Sequence, residues 1–400
     1  MELKIPSYVL QLMHILETNG YECYVVGGAV RSLLLNLPVH DYDLTTNALP
    51  DQMKQVFRNY HTLETGIQHG TITVIIDHHP VEITTYRKDS AYKDHRHPDH
   101  VEFTSAIKED CARRDFTINA FCYNPKTGIL DFFHGKEDLE NKVIRCIGNP
   151  HRRFEEDALR LLRAVRFAAQ LNFHIESETS KALLEKSDSL SYVSIERIRE
   201  EFTGYLKSPG CSSLFFPYHT LFETFLPELK DISDTDTRWL LDRWNCSTND
   251  ALCRFALLLT LPVFPNPRSI MRRMKFSNKE TDAVSDMILH KEDVIDNKIA
   301  LKHLLYKLKA PFEDYLHYRS ALDLKNYDAV LSLYQEIINN NEPYSLKQLA
   351  ITGTDLVSLD YKGKAISDEL HQLLTDVIDE KIPNNHDILL EKARKDHTLS

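Results

Sequence analysis

The fold is decided by the stretch from residue 22 to residue 45, which reads ECYVVGGAVRSLLLNLPVHDYDLT. Residues 22–26 are rich in β-branched and aromatic side chains, which predicts a short strand. Gly27-Gly28 marks a turn, and the apolar pattern of residues 29–36 predicts a helix. Residues 42–45 predict a second strand, so the stretch indicates a small mixed sheet flanked by helices.

Two aspartates, Asp41 and Asp43, accompany the second of these strands. Alternate residues of a strand point to the same face, so the two carboxylates are expected to converge. Mg²⁺ prefers carboxylate oxygens, and two metal ions can clamp the attacking and leaving oxygens of a phosphoryl transfer. The pair therefore predicts a two-metal Mg²⁺ site; the ordinary alternative for Asp-x-Asp is a solvated turn.

The residues between the first strand and the helix predict a phosphate site. Gly28 lets backbone N–H groups approach an anion, and a helix N-terminus favours negative charge. Arg31, in the first turn of the helix, can add a charge-assisted hydrogen bond to a triphosphate. The alternative is a tight turn followed by a solvent-facing arginine.

A third carboxylate lies in a predicted hairpin. Residues 71–77 and 81–86 are β-rich runs, joined by a turn at His78-His79-Pro80. Glu82 has apolar neighbours, so it points either to solvent or to a polar site. If its strand lies beside that of the aspartates, Glu82 joins their cluster. The polar residues 88–101 then predict a loop.

The bulk composition indicates a multi-domain protein of the α+β class. The chain has 400 residues, of which 42% are apolar and 27% charged, and this length exceeds that of one typical domain. A helical pattern covers residues 153–170, and helix follows helix after it. The net charge of −11 disfavours a general nucleic-acid coat protein, although it is compatible with a local basic face.

The cysteines and the N-terminus indicate the compartment. The seven cysteines are odd in number and show no C-x-x-C spacing, which argues against a disulfide framework or a zinc site. Residues 1–20 predict an amphipathic helix rather than a signal peptide. No stretch is apolar enough to cross a bilayer, so we expect a cytoplasmic protein with no membrane contact.

Taken together, these motifs resemble the head of the class II tRNA nucleotidyltransferases, within the polymerase-β-like superfamily. The matching segments are Gly27-Gly28-x-x-Arg31, Asp41-x-Asp43, Thr65-Gly66-x-x-His69-Gly70-Thr71, Glu82-x-Thr84-Thr85-x-Arg87 and Arg113-Arg114-Asp115-Phe116-Thr117-x-Asn119-Ala120. The resemblance implies that Asp41 and Asp43 bind the metal ions and that Glu82 is the third catalytic carboxylate. It also places Arg114 and Asp115 near the nucleotide sugar and phosphates, where the alternative is an ion-paired helix end.

The resemblance spans essentially the whole chain and implies four parts. They are a polymerase-β-like catalytic head with a mixed sheet, residues 1–145; a helical neck that selects the base, residues 146–205; a helical body, residues 206–300; and a helical tail that binds tRNA, residues 301–400. The basic residues 267–275 are a candidate phosphate contact, or else a solvated helix face.

Asp157 and Arg160 are predicted to share one face of the helix over residues 153–170, because they lie three residues apart. Cytosine and adenine both present an exocyclic amine beside an unprotonated ring nitrogen. A carboxylate can accept from the amine and a guanidinium can donate to the nitrogen, whereas uracil and guanine invert this order. The alternative is a surface ion pair; the resemblance favours base selection, since the family's selecting motif has this acid-then-arginine form.

Arg163 and Arg166 recur on the same predicted helix. They are candidates for neutralising the nucleotide phosphates or for extending the base contacts. The alternative is that each is an arginine whose stem lies along a partly buried helix while its charged end reaches solvent.

A charged loop bears on the product. The segment Asp94-x-Arg96-His97-Pro98-x-x-Val101-x-Phe103 resembles the flexible loop of complete CCA-adding members, which favours addition of the terminal A. Two positions depart from the family pattern: Ser32 replaces an acidic residue, and His97 stands where arginine is more usual. His95, His97 and His100 lack a fourth ligand for a zinc site.

The function implied by the resemblance is template-independent addition of CCA to the 3′ end of tRNA from CTP and ATP, with release of pyrophosphate. The expected partners are tRNA, held at its acceptor end and elbow, and the two nucleotides; both a monomer and a homodimer stay open. The rivals are a poly(A) polymerase, disfavoured because no basic C-terminal extension is found, and a CC-only enzyme, disfavoured by the loop. A catalytically silent RNA-binding protein is the alternative from another class.

Overall fold

The computed structural model describes residues 2–89 and 101–399 of the chain. Two compact units are present, Met1–Asp231 and Ile232–Ser400. Within the described ranges, no helix combines the length and the apolar character needed to cross a membrane. The four-part division of the sequence stays a prediction.

The first unit is built around a mixed β-sheet. The strands of the described residues are β1 (Cys23–Val26), β2 (Asp43–Thr46), β3 (His61–Leu63), β4 (Thr71–Ile76), β5 (His79–Thr85), β6 (Arg87–Asp89), β7 (Val101–Phe103), β8 (Cys122–Asn124), β9 (Gly128–Leu130), β10 (Val143–Ile144) and β11 (His174–Ile175). Seven of them form one sheet in the order β3-β4-β5-β2-β1-β8-β9, while β6–β7 and β10–β11 form two small sheets. Because β2 and β5 are parallel and β1 and β2 are antiparallel, the mixed sheet predicted from the sequence is confirmed.

The sheet register places the acidic residues. β1 is buried at all four positions, and β2 lies between β1 and β5, so that Asp43 is opposite Val26 on one side and Glu82 on the other. The condition for Glu82 to approach Asp43 is therefore met. The strand begins at Asp43, so the prediction that Asp41 shares a strand face with it is wrong: Asp41 lies in the exposed segment before β2.

The hairpin of β4 and β5 is confirmed, but its turn is not where the sequence suggested. Ile76 pairs with His79, and Pro80 lies within β5 opposite Ile75. The turn is formed by Asp77 and His78, which both have positive φ angles, 48° and 64°. Positive φ at both central residues is the signature of the turn whose twist matches a hairpin. Pro80 misled the prediction because proline is also tolerated near the start of a strand.

The segment after β5 contains two short strands, β6 and β7, in its described residues. A loop was predicted over residues 88–101, yet β6 and β7 pair at its two ends, with Arg87 opposite Phe103. Backbone pairing there replaces part of the predicted loop. The part of the charged loop that contains Asp94, His95, Arg96, His97 and His100 lies outside the described residues.

Helices pack around the sheet and continue beyond it in the first unit. They are α1 (Ser7–Thr18), α2 (Gly28–Leu34), α3 (Pro50–Val56), α4 (Ile107–Ala112), α5 (Gly135–Glu140), α6 (Pro150–Glu156), α7 (Leu159–Leu171), α8 (Ser177–Glu185), α9 (Ile195–Leu206), α10 (Cys211–Phe215) and α11 (His219–Glu223). α7 buries nine of its thirteen residues and packs against α9. α7 and α9 carry several of the side chains that form or support the candidate active site.

The helix predicted over residues 153–170 is in fact two helices. α6 ends at Glu156, and Asp157 is extended, with φ −144° and ψ 104°. Its side-chain oxygen Oδ1 accepts a hydrogen bond from the backbone N–H of Leu159 at 3.1 Å. Aspartate competes for backbone N–H groups in this way, which favours a helix start over a helix interior. The break was missed because no glycine or proline marks it.

The second unit is helical in its described residues. Its helices are α12 (Asp234–Cys246), α13 (Ala251–Leu259), α14 (Pro267–Arg273), α15 (Asn278–Leu289), α16 (Lys298–Lys307), α17 (Phe312–Asp323), α18 (Asp328–Asn339), α19 (Gly353–Val357), α20 (Lys364–Ile378) and α21 (His386–Leu399). α13 buries eight of its nine residues and forms part of the core. The basic segment 267–275 forms α14 and the turn after it, where Arg272 and Arg273 are exposed.

The corrected hairpin turn predicts opposite effects at two neighbouring histidines. We expect His78→Gly to raise the free energy of unfolding by roughly 0.5–1 kcal/mol, since a side chain pays for the left-handed conformation and glycine does not. His79→Gly should lower it, because His79 lies in β5 and its ring stacks on Tyr8 at 4.3 Å. Urea unfolding followed by circular dichroism measures both; a loss of stability in His78→Gly contradicts this turn.

Candidate active site

A cavity of about 350 Å³ in the first unit brings most of the predicted site residues together. It is lined by Gly27, Gly28, Arg31, Asp43, Arg113, Arg114, Asp115, Asn119, Asp157, Arg160, Arg163 and Phe167. Arg166, Asp41 and Glu82 are not part of this lining. A larger cavity of about 670 Å³ lies in the second unit, but its lining contains none of the predicted residues.

The acidic end of the cavity lies where β2 and β5 run side by side. Burial of the Asp43 carboxyl raises its pKa, and repulsion from Glu82 and Asp41 raises it further, against the pull of Arg114. Crowded carboxylates of this kind are stabilised by a divalent cation, which prefers oxygen ligands. No group of three metal-ligating side chains is assembled at ligand spacing in residues 2–89 and 101–399. The donor chemistry of Asp43 and its acidic neighbours nevertheless fits a hard cation.

Next to this end, the glycine turn allows a close approach of arginine. Gly27 has a φ of 68°, and a Cβ atom there would lie 3.0 Å from Nη1 of Arg114. A side chain at this position would therefore be strained and would push Arg114 away. The turn leads into α2, which carries Arg31 to the same cavity.

Arg31 is a buried cation of the cavity wall with an unused hydrogen-bond donor. Only 6% of it is exposed, and its Nη1 donates to Oδ1 of Asn119 at 2.5 Å, yet its Nε is buried with no hydrogen-bond partner. Burial lowers its pKa to about 10, although Asp115 opposes this shift. A buried guanidinium with an unused donor is suited to binding an anion.

Arg113 and Arg114 are held by a residue that the sequence analysis missed. Asp110, which is fully buried, accepts from Nε of Arg113 at 2.9 Å and from Nη2 of Arg114 at 3.4 Å. It also accepts from the backbone N–H of Arg87 at 3.3 Å. Its spacing of three and four residues before the two arginines is the signal that could have identified it.

Asp115 connects the sheet side of the cavity to α7. Its Oδ1 accepts from the amide of Asn119 at 3.0 Å, and its Oδ2 accepts from Nε and Nη2 of Arg163 at 2.9 and 2.7 Å. Burial is the largest single effect and raises its pKa, but the charges of Arg163 and Arg160 and the hydrogen bonds from Arg163 and Asn119 together outweigh it and lower the pKa to about 2. Asp115 therefore supports Arg163 rather than offering free oxygens to a ligand.

Asp157 and Arg160 both line the cavity, although they do not share a helix face as predicted. Asp157 precedes α7 in the extended break, whereas Arg160 is in its first turn. Arg160 donates hydrogen bonds to Oε2 of Glu156 and to the carbonyl oxygen of Arg113, each at 2.8 Å. Asp157 and Arg160 therefore line the same cavity without lying one turn apart on a helix.

Three arginines lie close to the ring of one aromatic residue, Phe167. The guanidinium carbons of Arg31, Arg163 and Arg166 lie 4.8, 5.1 and 4.3 Å from the ring centroid of Phe167. Cations are attracted to the faces of such rings. Glu201 of α9 accepts from Nε of Arg166 at 2.5 Å and lies 3.5 Å from Nη1 of Arg163. Phe167 and Glu201 were also missed, because their roles depend on contacts distant in sequence.

Comparisons with known proteins cover nearly the whole chain. Family models match residues 23–145, described as poly A polymerase head domain; residues 172–232, described as "Probable RNA and SrmB- binding site of polymerase A"; and residues 236–393, described as tRNA nucleotidyltransferase domain 2. A protein of Enterococcus faecalis named CCA-adding enzyme is 34% identical over 385 residues, covering 95% of this chain and 93% of its own. One of Ligilactobacillus salivarius, with the same name, is 34% identical over 418 residues and covers 98% and 97%.

A solved structure is similar over the same extent. The crystal structure of the Bacillus stearothermophilus CCA-adding enzyme in complex with CTP covers 98% of both chains, with 27% identity and a TM-score of 0.82. The similarity therefore includes both units of the chain.

The ion pair of Asp115 leads to a stability prediction. We expect Asp115→Asn to lower the free energy of unfolding by roughly 3 kcal/mol at pH 7, because it leaves the partly buried Arg163 without its carboxylate. The native pKa of about 2 lies below the usual 3.8, so this stabilisation is complete above pH 4 and is lost as the pH falls toward 2. Urea unfolding at pH 7 and near pH 3 measures it; a difference between wild type and variant that grows on acidification contradicts it. The exposed Asp51→Asn is the matched control.

Proposed function

Because this chain belongs to the family of CCA-adding enzymes, we propose that it adds C, C and A to the 3′ end of tRNA without a template. The substrates are CTP, ATP and a tRNA that lacks its CCA end, and pyrophosphate is released. The observation that carries the proposal is the single cavity in which anion-binding arginines, a carboxylate of the sheet and the pair Asp157 and Arg160 meet. The whole-chain similarity to CCA-adding enzymes favours this product over a poly(A) tail or CC alone.

The phosphates of the nucleotide are assigned to the arginine side of the cavity. Gly28 leaves room for the chain of phosphates at the glycine turn, and Arg31 offers its unused donor there. Arg114 and Arg163 add positive charge, each held in place by a carboxylate. Arg166 contributes through the ring of Phe167 and not by lining the cavity. Fixed donors of this kind stabilise charge that develops on the phosphates without having to reorient.

The acidic end is assigned to catalysis. Asp43 and Glu82, adjacent in register, together with Asp41, would hold Mg²⁺, which would supply the Lewis acidity that a phosphoryl transfer needs. These carboxylates also fix where the 3′ hydroxyl of tRNA must enter, opposite the arginines. Positioning of the hydroxyl against the α-phosphate is the contribution that this chain makes to the reaction.

The parts of the chain are assigned in the same way. Residues 1–145 form the catalytic head and residues 146–205 the neck that selects the base, followed by the body, residues 206–300, and the tail, residues 301–400. The tail holds the tRNA. The matches to an RNA-binding model and to a tRNA nucleotidyltransferase domain after residue 171 support this order.

The product of the reaction tests the proposal directly. Purified protein is incubated with Mg²⁺, CTP, ATP and a tRNA transcript lacking CCA, and the product ends are sequenced. We expect addition of CCA followed by a stop. Asp43→Asn should lower the rate by about a thousandfold or more, since it removes a metal-binding carboxylate worth several kcal/mol in the transition state. Asp51→Asn, the same change at an exposed position, should act as wild type.

Each other result has a defined meaning. A long A tail identifies a poly(A) polymerase, CC alone identifies a CC-adding enzyme, and no product with retained tRNA binding identifies a silent RNA-binding protein. Full activity of Asp43→Asn contradicts the assignment of the catalytic carboxylates.

Base selection predicts a separate effect at Asp157. We expect Asp157→Ala to lower the preference for CTP over UTP about tenfold to a hundredfold. The substitution removes the acceptor for the exocyclic amine, which costs about 1.5–3 kcal/mol of discrimination. The measurement is the ratio of kcat/KM for single additions of CMP and UMP. An unchanged ratio means that Asp157 does not read the base, whatever the rate of addition.

A further inference from the structure

We propose that Arg197 is a positioning residue that fixes the carboxylate of Asp157 and thereby sets the preference for cytosine and adenine. The inference rests on the proposed function of Asp157 as a base reader. Arg197 lies on α9 and is absent from the cavity lining, so it acts through Asp157 and not on the nucleotide.

The need for such a residue follows from the break between α6 and α7. Asp157 has an extended backbone at this break, so no helical neighbour restricts the direction of its side chain. The local bond from the N–H of Leu159 holds only Oδ1, at 3.1 Å. A carboxylate that is hydrogen-bonded at only one oxygen can still rotate and move its second oxygen.

Arg197 supplies the second restraint. Its Nη2 lies 3.3 Å from Oδ2 of Asp157, so each carboxylate oxygen has one fixed donor. An ionised carboxylate has about four acceptor sites, and two of these stay available for the amine of a base. Nη1 of Arg197 is buried without a hydrogen-bond partner. The guanidinium thus keeps its contact with Asp157 although one of its own donors is left unpaired.

The helix that carries Arg197 also supports the arginines. Glu201 follows it by four residues, which places both side chains on one face of α9. Glu201 contacts Arg163 and Arg166, while Arg197 contacts Asp157. One helix face thus holds both the acid that is proposed to read the base and the arginines beside the cavity, a supporting layer of the kind that fixes catalytic geometry.

Rotation of Asp157 would weaken the discrimination between bases. Cytosine presents an amine where uracil presents a carbonyl oxygen, and uracil carries an N–H at the neighbouring ring position. A fixed carboxylate meets the carbonyl oxygen of uracil and repels it. A carboxylate that is free to turn can accept from the ring N–H of uracil instead, so the wrong base gains a hydrogen bond.

The test compares wild type with Arg197→Met in single additions of CMP and UMP to a tRNA transcript lacking CCA. We expect the ratio of kcat/KM for CTP over UTP to fall about tenfold, the effect of losing one charge-assisted restraint. Arg197→Lys, which keeps a positive charge near Oδ2, should recover part of the ratio. Arg58→Met, the same change at an exposed arginine of the first unit, should leave it unchanged.

A double variant separates positioning from a general loss of structure. In the background of Asp157→Ala, Arg197→Met should cause no further fall in the ratio, because its effect passes through Asp157. A further fall, or a wild-type ratio in folded Arg197→Met, overturns the inference. If Arg197→Met does not fold by circular dichroism, Arg197→Gln replaces it under the same criterion.

The two proposals fail in different ways. A wild-type ratio in Asp157→Ala itself removes the base-reading role and with it the premise of this inference. A collapsed ratio in Asp157→Ala beside a wild-type ratio in folded Arg197→Met leaves the proposed function intact and shows only the role of Arg197 to be wrong.

Discussion

The pairing of Asp115 with Arg163 is the interaction on which the geometry of the cavity depends. The carboxylate belongs to the segment between α4 and β8, and the guanidinium belongs to α7, so their two hydrogen bonds join the sheet region to the first helix after the break. The same carboxylate fixes Asn119, which in turn accepts from Arg31. Through one buried anion, three residues from distant parts of the sequence are held at the wall of one cavity.

Other arginines of the cavity wall are also held by carboxylates. Asp110 holds Arg113 and Arg114, Asp115 holds Arg163, and Glu156 holds Arg160. These partners fix the guanidinium groups, and a fixed cation binds an anion without the cost of ordering a mobile side chain. Arg31 differs, because its hydrogen bond goes to the amide oxygen of Asn119 and not to a carboxylate; its buried Nε, like that of Arg114, has no hydrogen-bond partner. An anionic ligand would complete its hydrogen bonding.

The sequence predicted the parts of this site that depend on local pattern. β-branched and aromatic composition located β1 and β2, and the glycine turn with Arg31 and Asp43 followed from their chemistry. Local pattern does not predict which strands become neighbours in the sheet. The parallel register that sets Asp43 beside Glu82 depends on the crossover between two strands 39 positions apart. The support from Phe167 and Glu201 could not be predicted for the same reason, since helix packing decides it.

The break at Asp157 shows why local pattern also fails inside a motif. Residues 153–170 satisfy helical periodicity on both sides of it, and α7 buries the face that periodicity indicates. A continuous helix would project Asp157 and Arg160 from one face, one turn apart. The extended residue instead lets the acid reach the cavity from before α7 while Arg160 reaches it from within the helix. Because such a residue loses the rotamer restraint of a helix, its direction must be fixed from another element, and α9 is the element packed against it.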